Sequence, residues 1–123
     1  MRGSLSPERI GTEEHQWERA RQGDRDAFGV LVTRYERAIY AAAMTVVRNP
    51  EEAMEVVQEA LLQVWRGRER IPEEASFGPW SCGVAIRIGR SRRRRAARRS
   101  RLFRLLLREP VGRIEASSRM SEN

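Results

Sequence analysis

The stretch from Asn49 to Arg68 carries the clearest pattern in the chain. Ala53, Val56, Val57, Ala60, Leu61, Val64 and Trp65 recur at the three-four spacing of one helical face, which strand alternation cannot produce. Its start is marked as well. Asn49 offers a side-chain oxygen to the free amides of a first turn, Pro50 supplies a fixed φ, and Glu52 comes three places after the cap. A second run of the same period, Phe28, Leu31, Val32, Tyr35, Ile39, Ala42, Ala43 and Val46, predicts a helix from Arg25 to about Val47, capped by Asp24. Arg48-Asn49-Pro50 leaves room only for a tight turn, so the two long helices form an antiparallel hairpin. The small residues Ala41-Ala42-Ala43 let a neighbour come close.

Shorter signals flank this hairpin. Thr12 caps a predicted helix to Arg21, with Trp17 and Ala20 on one face and Gly23 as its stop. Residues 1–11 lack periodicity and read as a disordered lead-in. Glu69 to Pro79 reads as a loop through Pro72, Gly78 and Pro79, with Ser76 as a cap for the next helix. Phe77, Trp80, Val84 and Ile88 predict that helix and turn it towards the hairpin, weakened by Gly83 and Gly89 at about 1 kcal/mol each relative to alanine. Continued, that face would present Ser91 and Arg95, so packing stops near Ile88. Beyond it comes a long basic helix. Leu102, Phe103, Leu105, Leu106 and Leu107 form an apolar patch, Pro110 stops the helix, and the tail from Val111 to Asn123 reads as disordered. The pattern therefore gives an all-α domain of three to four helices over residues 12–95 and a basic extension with a tail over 96–123.

Composition sharpens this picture mainly through charge. At 123 residues there is enough chain for one modest core. No apolar run approaches the roughly 20 residues that span a bilayer, and the polar start lacks the pattern of a secretory leader. The single Cys82 cannot form an internal disulfide, which suits a cytoplasmic location. With His15 as the only other soft ligand, neither a metal site nor a nucleophilic pair can be assembled, and no cofactor or enzymatic activity is expected. The net charge is −3 up to Ile86 and +10 from Arg87 onward, which together make the +7 of the whole chain. All of the cations are arginine, whose planar fork suits phosphate.

Charge and helical period together define two surface features. On the middle helix Glu51, Glu55, Gln58 and Leu62 keep helical spacing, with Glu59 beside them. This stripe reads either as a solvated face with one stray leucine or as a docking surface for a basic partner. On the last helix Arg87, Arg90, Arg94, Arg98 and Arg101 form a second stripe, widened by Arg92, Arg93, Arg95 and Arg99. Three readings stand for it: a solvated tail, a nucleic-acid contact driven by counterion release, or a membrane-surface helix. Against the last, arginines and leucines are segregated along the chain and not on opposite faces. Trp65, Trp80, Tyr35 and Phe77 lie on the apolar sides of their helices and read first as core, second as platforms for unpaired bases.

Taken in order, Gly23-Asp24, Asp26-Ala27-Phe28, Leu31-Val32, Tyr35, Tyr40, Pro50 through Trp65, then Phe77, Trp80 and Ala85 before an arginine run resemble region 2 of extracytoplasmic-function sigma factors. The densest part of the match is Ala53-x-Glu55-x-x-Gln58-Glu59-x-x-Leu62-x-x-Trp65. The resemblance implies a helical domain that binds the clamp coiled coil of core RNA polymerase and helps open promoter DNA at the −10 element. It places polymerase docking on Glu55, Gln58, Glu59 and Leu62. It places promoter contacts on Arg87, Arg90, Arg92, Arg93 and Arg94, with the loop Arg70 to Gly78 beside the displaced strand, where such proteins accept a flipped base. It further implies a monomer when free, without membrane association, open to an anti-sigma partner. Met54, Glu55, Ser81-Cys82-Gly83, Arg87 and Ser91 depart from the family's usual residues, mostly on the strand-opening side. The stretch after Arg95 is also too short for the family's second, helix-turn-helix domain. Two alternatives remain beside a sigma factor: a sequence-indifferent nucleic-acid-binding module, and a decoy for an anti-sigma protein.

Overall fold

The computed structural model describes residues 5–107, with side chains from Glu13 onward. Four helices succeed one another: α1 (Leu5–Arg21), α2 (Arg25–Val47), α3 (Pro50–Arg66) and α4 (Phe77–Leu106), with a single 3₁₀ turn at Arg68–Arg70. Among the described residues there is no strand, so the fold is all-α as the periodicity predicts. The residues up to Arg90 form one compact unit and those from Ser91 a second.

The caps sit where the sequence places them. Asp24 is extended and its Oδ1 accepts from the Ala27 amide at 3.1 Å. Asn49 does the same for Glu52 at 2.9 Å, with Pro50 at the first helical position. Gly23, at φ 105°, turns the chain between α1 and α2 in a conformation that favours glycine. Arg48 takes the left-handed conformation at the end of α2, and its amide bonds back to the Met44 carbonyl, which closes the hairpin turn.

Two expectations change. Thr12 does not begin a helix, because α1 already runs from Leu5 and passes through it. Pro7 just inside that start is the signal for the earlier boundary. The lead-in expected to be disordered over residues 1–11 is helical from Leu5, while its residues 1–4, the stop at Pro110 and the tail from Val111 to Asn123 fall outside the described residues.

The second change concerns α4. Its buried positions are Phe77, Gly78, Ser81, Val84, Ala85, Ile88 and Gly89, while Trp80 stays 37% exposed. Trp80 is therefore not core. The cause is the pair of glycines on the inner face. A Cβ at Gly78 would fall 2.5 Å from the Tyr35 ring, and one at Gly89 3.2 Å from Val46 Cβ, so α4 approaches α2 closely at both points. That approach centres the buried face on Ser81 and leaves the bulky Trp80 on the flank. Burial ends at Gly89, next to the predicted Ile88.

Inside the first unit the core is built from Leu31, Ile39 and Ala43 of α2 and from Val56, Val57, Ala60 and Val64 of α3, with Trp17 and Phe77 closing one end. The aromatic end is a connected cluster. Phe77 meets Trp17, Phe28 and Tyr35 at centroid distances of 5.5, 5.6 and 5.8 Å, and Phe28 meets Trp65 at 5.0 Å. Offset and edge-on rings at these distances add about 0.5–1.5 kcal/mol per pair beyond area burial.

Candidate functional site

On α3 the inner and outer faces separate cleanly. Ala53, Val56, Val57, Ala60 and Val64 are buried, while Glu51, Glu55 and Gln58 are exposed and Glu59 is half-buried. Leu62 is 41% exposed at the end of this stripe, and Met54 is also exposed on α3 at 47%. The four docking residues expected from the sequence thus share an outward face that combines carboxylates, an amide and apolar side chains. Such a face, acidic with exposed apolar side chains, has the chemistry to complement a surface with basic and apolar groups.

The arginine positions divide between the two units. In the first unit Arg87 and Arg90 are exposed, and Arg87 Nη2 donates to Gln63 Oε1 of α3 at 3.5 Å. In the second unit Arg92 is half-buried, and Arg93, Arg94, Arg95, Arg98, Arg99 and Arg101 are exposed. Leu102, Phe103, Leu105, Leu106 and Leu107 are likewise exposed, between 38% and 70%. A helix with cations on several flanks carries a positive potential around much of its circumference.

A further feature was not legible in the sequence. Helix α1 grips the loop between α3 and α4. Arg21 Nη1 donates to the carbonyl of Ile71 at 2.7 Å and of Arg68 at 3.4 Å, and its Nη2 donates to that of Pro72 at 2.5 Å. One helical turn earlier, Trp17 Nε1 donates to the Ala75 carbonyl at 3.1 Å. The Arg21 guanidinium lies 4.8 Å from the Trp17 ring centroid, so the two side chains also stack. Arg68 repeats the arrangement on the other side of the loop, 4.1 Å over Trp65 and donating to the Trp65 carbonyl at 2.8 Å. Periodicity could not reveal any of this, since an arginine in the last turn of a helix normally reads as a complement to the helix dipole.

Beside this loop lies a cleft of about 700 Å³ with Trp17, Arg21 and Phe77 in its lining. Its rim is acidic, formed by Glu13, Glu14, Glu18, Glu73 and Glu74. Glu13 is tied down by an ion pair to Arg34 at 3.0 Å and by a hydrogen bond from the Tyr35 hydroxyl, which holds the Tyr35 phenol above its ordinary value. The carboxylates repel phosphate and accept hydrogen bonds from amino groups. The loop thus presents Glu73 and Glu74 as hydrogen-bond acceptors, with the exposed Arg70 at its start.

Cys82 is half-buried, and burial pushes its thiol up, away from the thiolate a nucleophile needs. Among the described residues no cluster of three His, Cys, Asp or Glu side chains could hold a metal ion, and no helix is long and apolar enough to cross a membrane.

Comparison with known proteins agrees with this architecture. Residues 31–99 match the sigma-70 region 2 family, more than half of the 123 residues. The chain is 30% identical over 74 residues to the RNA polymerase sigma-H factor of Pseudomonas aeruginosa, covering 60% of this chain and 38% of that protein. It is 31% identical over 74 residues to the ECF RNA polymerase sigma-E factor of Haemophilus influenzae, covering 60% and 39%. It is 32% identical over 76 residues to the RNA polymerase sigma factor NccH of Alcaligenes xylosoxydans xylosoxydans, covering 62% and 41%. The chain spans about two fifths of the length of these curated relatives. No solved structure matches it at a significant level. With the matched residues running from Leu31 in α2 to Arg99 in α4, through the hairpin and the gripped loop, the chain belongs to the sigma-70 region 2 family.

Proposed function

We propose that this chain works in transcription initiation as the region 2 part of an extracytoplasmic-function sigma factor. It docks on the clamp coiled coil of core RNA polymerase through Glu55, Gln58, Glu59 and Leu62 and contacts promoter DNA near the −10 element through Arg87, Arg90, Arg92, Arg93 and Arg94. The observation that carries this reading is the outward face of α3, where Glu55, Gln58 and Leu62 are all exposed above a fully apolar inner face. Membership of the family and the names of the relatives support the same assignment. A pull-down with core polymerase tests it. Wild-type chain is retained and the Glu55→Arg/Glu59→Arg double variant is lost; failure of the wild type to bind, or equal retention of both, rejects the docking face.

A second reading is favoured by one feature of α4. Its arginines from Arg93 to Arg101 are exposed on every flank, so they define no single face aimed at base edges. On that reading the chain binds nucleic acid without regard to sequence. Equal affinity for promoter and random duplexes, together with no retention on polymerase, would select it.

A further inference from the structure

We infer that the end of α4, from Arg101 to Leu107, is an interfacial anchor that takes an anionic phospholipid surface. Leu102, Phe103, Leu105, Leu106 and Leu107 are 38–70% exposed there, and neither polymerase docking nor phosphate contact uses them. The helix persists to Leu106, and the Leu107 amide still bonds to the Phe103 carbonyl at 3.1 Å. At 3.6 residues per turn, Arg101 and Arg104 therefore share one flank, with Leu102, Phe103 and Leu106 on the opposite one. Leu105 and Leu107 border the apolar side. The segregation of arginines from leucines along the sequence holds upstream of Arg101 and gives way to opposite faces beyond it.

Charge and shape name the occupant. From Ser91 to Leu107 there are eight arginines and no acidic residue. A second copy of the chain would bring the same cations within a Debye length, about 8–10 Å at moderate salt, so like charges oppose self-association. A protein groove that takes a helix reads apolar anchors repeated over several turns. Here the apolar residues crowd into six consecutive positions, and one turn earlier the same side carries Arg98 and Arg99, so the seam has no continuation. A fluid hydrocarbon boundary makes no demand for such a seam. It accepts a short, broad apolar tip while arginine stems lie along it and their heads stay among the headgroups. Headgroup phosphates match the guanidinium fork, and an apolar insertion joined to a polybasic stretch is the pairing that makes peripheral attachment stable. The anchor does not depend on the promoter reading. Where both hold, lipid and duplex DNA compete for the same arginines, and the membrane surface withholds the chain from DNA.

The test uses the full chain and vesicles of phosphatidylcholine, alone or with about one third phosphatidylglycerol. Wild type cosediments with the anionic vesicles at least about tenfold more strongly than with the neutral ones. Leu102→Ser/Phe103→Ser/Leu106→Ser loses about tenfold or more of that partition and keeps wild-type affinity and salt slope for duplex DNA, which also shows that it folds. Phe103→Trp gains a blue-shifted emission on anionic vesicles that acyl-chain bromines quench, because the tip sits below the headgroups. Excess duplex strips the wild type from the vesicles. Equal partition of the triple variant and wild type overturns the anchor, since charge alone then holds the chain. So does a wild type that shows no preference for anionic vesicles. A wild type that elutes as a dimer, with the triple variant a monomer, overturns it as well, because a second copy then covers the tip. A chain that holds vesicle and duplex together overturns the competition. Partition by a wild type that binds neither polymerase nor DNA sustains the anchor and rejects the promoter reading.

Discussion

Gly78 of α4 faces the edge of the Tyr35 ring of α2 so closely that a Cβ would stand 2.5 Å from Cε1 and 2.7 Å from Cδ1. Tyr35 cannot swing aside freely, because its hydroxyl is held by Glu13 and its ring packs on Phe77 at 5.8 Å. Gly78→Ala is therefore an overpacking change, expected to cost about 1–3 kcal/mol in urea denaturation. Combining it with Tyr35→Leu, which removes the ring edge, should recover part of that loss. A strictly additive double variant would show that the two residues do not meet.

The remaining glycines of α4 differ in kind. Around Gly83 nothing lies within 4 Å of an added Cβ, whereas at Gly89 the Cβ of Val46 lies at 3.2 Å. Gly83→Ala should therefore stabilise the protein by about 0.5–1 kcal/mol, through helix propensity and a less disordered unfolded chain. Gly89→Ala gains the same propensity and loses it again to the clash with α2, so it should be neutral or destabilising. Thermal unfolding of the two variants side by side checks the contrast.

The Asp24 cap links stability to pH. The hydrogen bond from the Ala27 amide, and then that from Arg19, hold the Asp24 carboxyl below its ordinary 3.8. A depressed folded-state value means that the unfolded chain takes up the proton first on acidification. The contribution is complete above the unfolded value and is lost as pH falls through the folded one. Asp24→Asn keeps a capping oxygen without a titrating group. Its stability should thus be less pH-dependent than wild type below about pH 4, measured by denaturation across that range.

The parts of this molecule that the sequence makes legible are those set by neighbours a few residues apart. Asp24 and Asn49 announce their caps because a cap is satisfied within three residues, and the apolar stripes of α2 and α3 reveal the hairpin because each helix buries one continuous face. The buried face of α4 is less legible. Trp80 and Ser81 compete for it, and the outcome depends on how near Gly78 and Gly89 let α2 come, which no local pattern encodes. Least legible is the Trp17–Arg21 bracket, whose partners at Ile71, Pro72 and Ala75 are far along the chain. Of the sites, the outward positions of Glu55, Gln58 and Leu62 come from helical period alone, whereas the half-burial of Glu59 is not encoded in that period.

The arginine helix makes a quantitative statement about DNA. Each arginine that sits on a duplex phosphate releases condensed counterions and contributes about −0.9 to the slope of log affinity against log salt. If five of them bind, the slope is about −4 to −5, and affinity falls several hundredfold between about 50 and 200 mM salt. Arg93 and Arg94 are exposed, and removing a phosphate contact lowers affinity for all sequences alike. The Arg93→Ala/Arg94→Ala variant should therefore bind more weakly at low salt and show a slope shallower by about 2. Substitution on the face of α3, as in Glu55→Arg, should leave that slope no shallower, since it removes no cation. Fluorescence anisotropy with a labelled duplex over a salt series reads both numbers. A double variant with the wild-type slope would place the phosphate contacts elsewhere on the chain, and a wild-type slope near zero would mean that the helix carries its charge for a purpose other than nucleic acid.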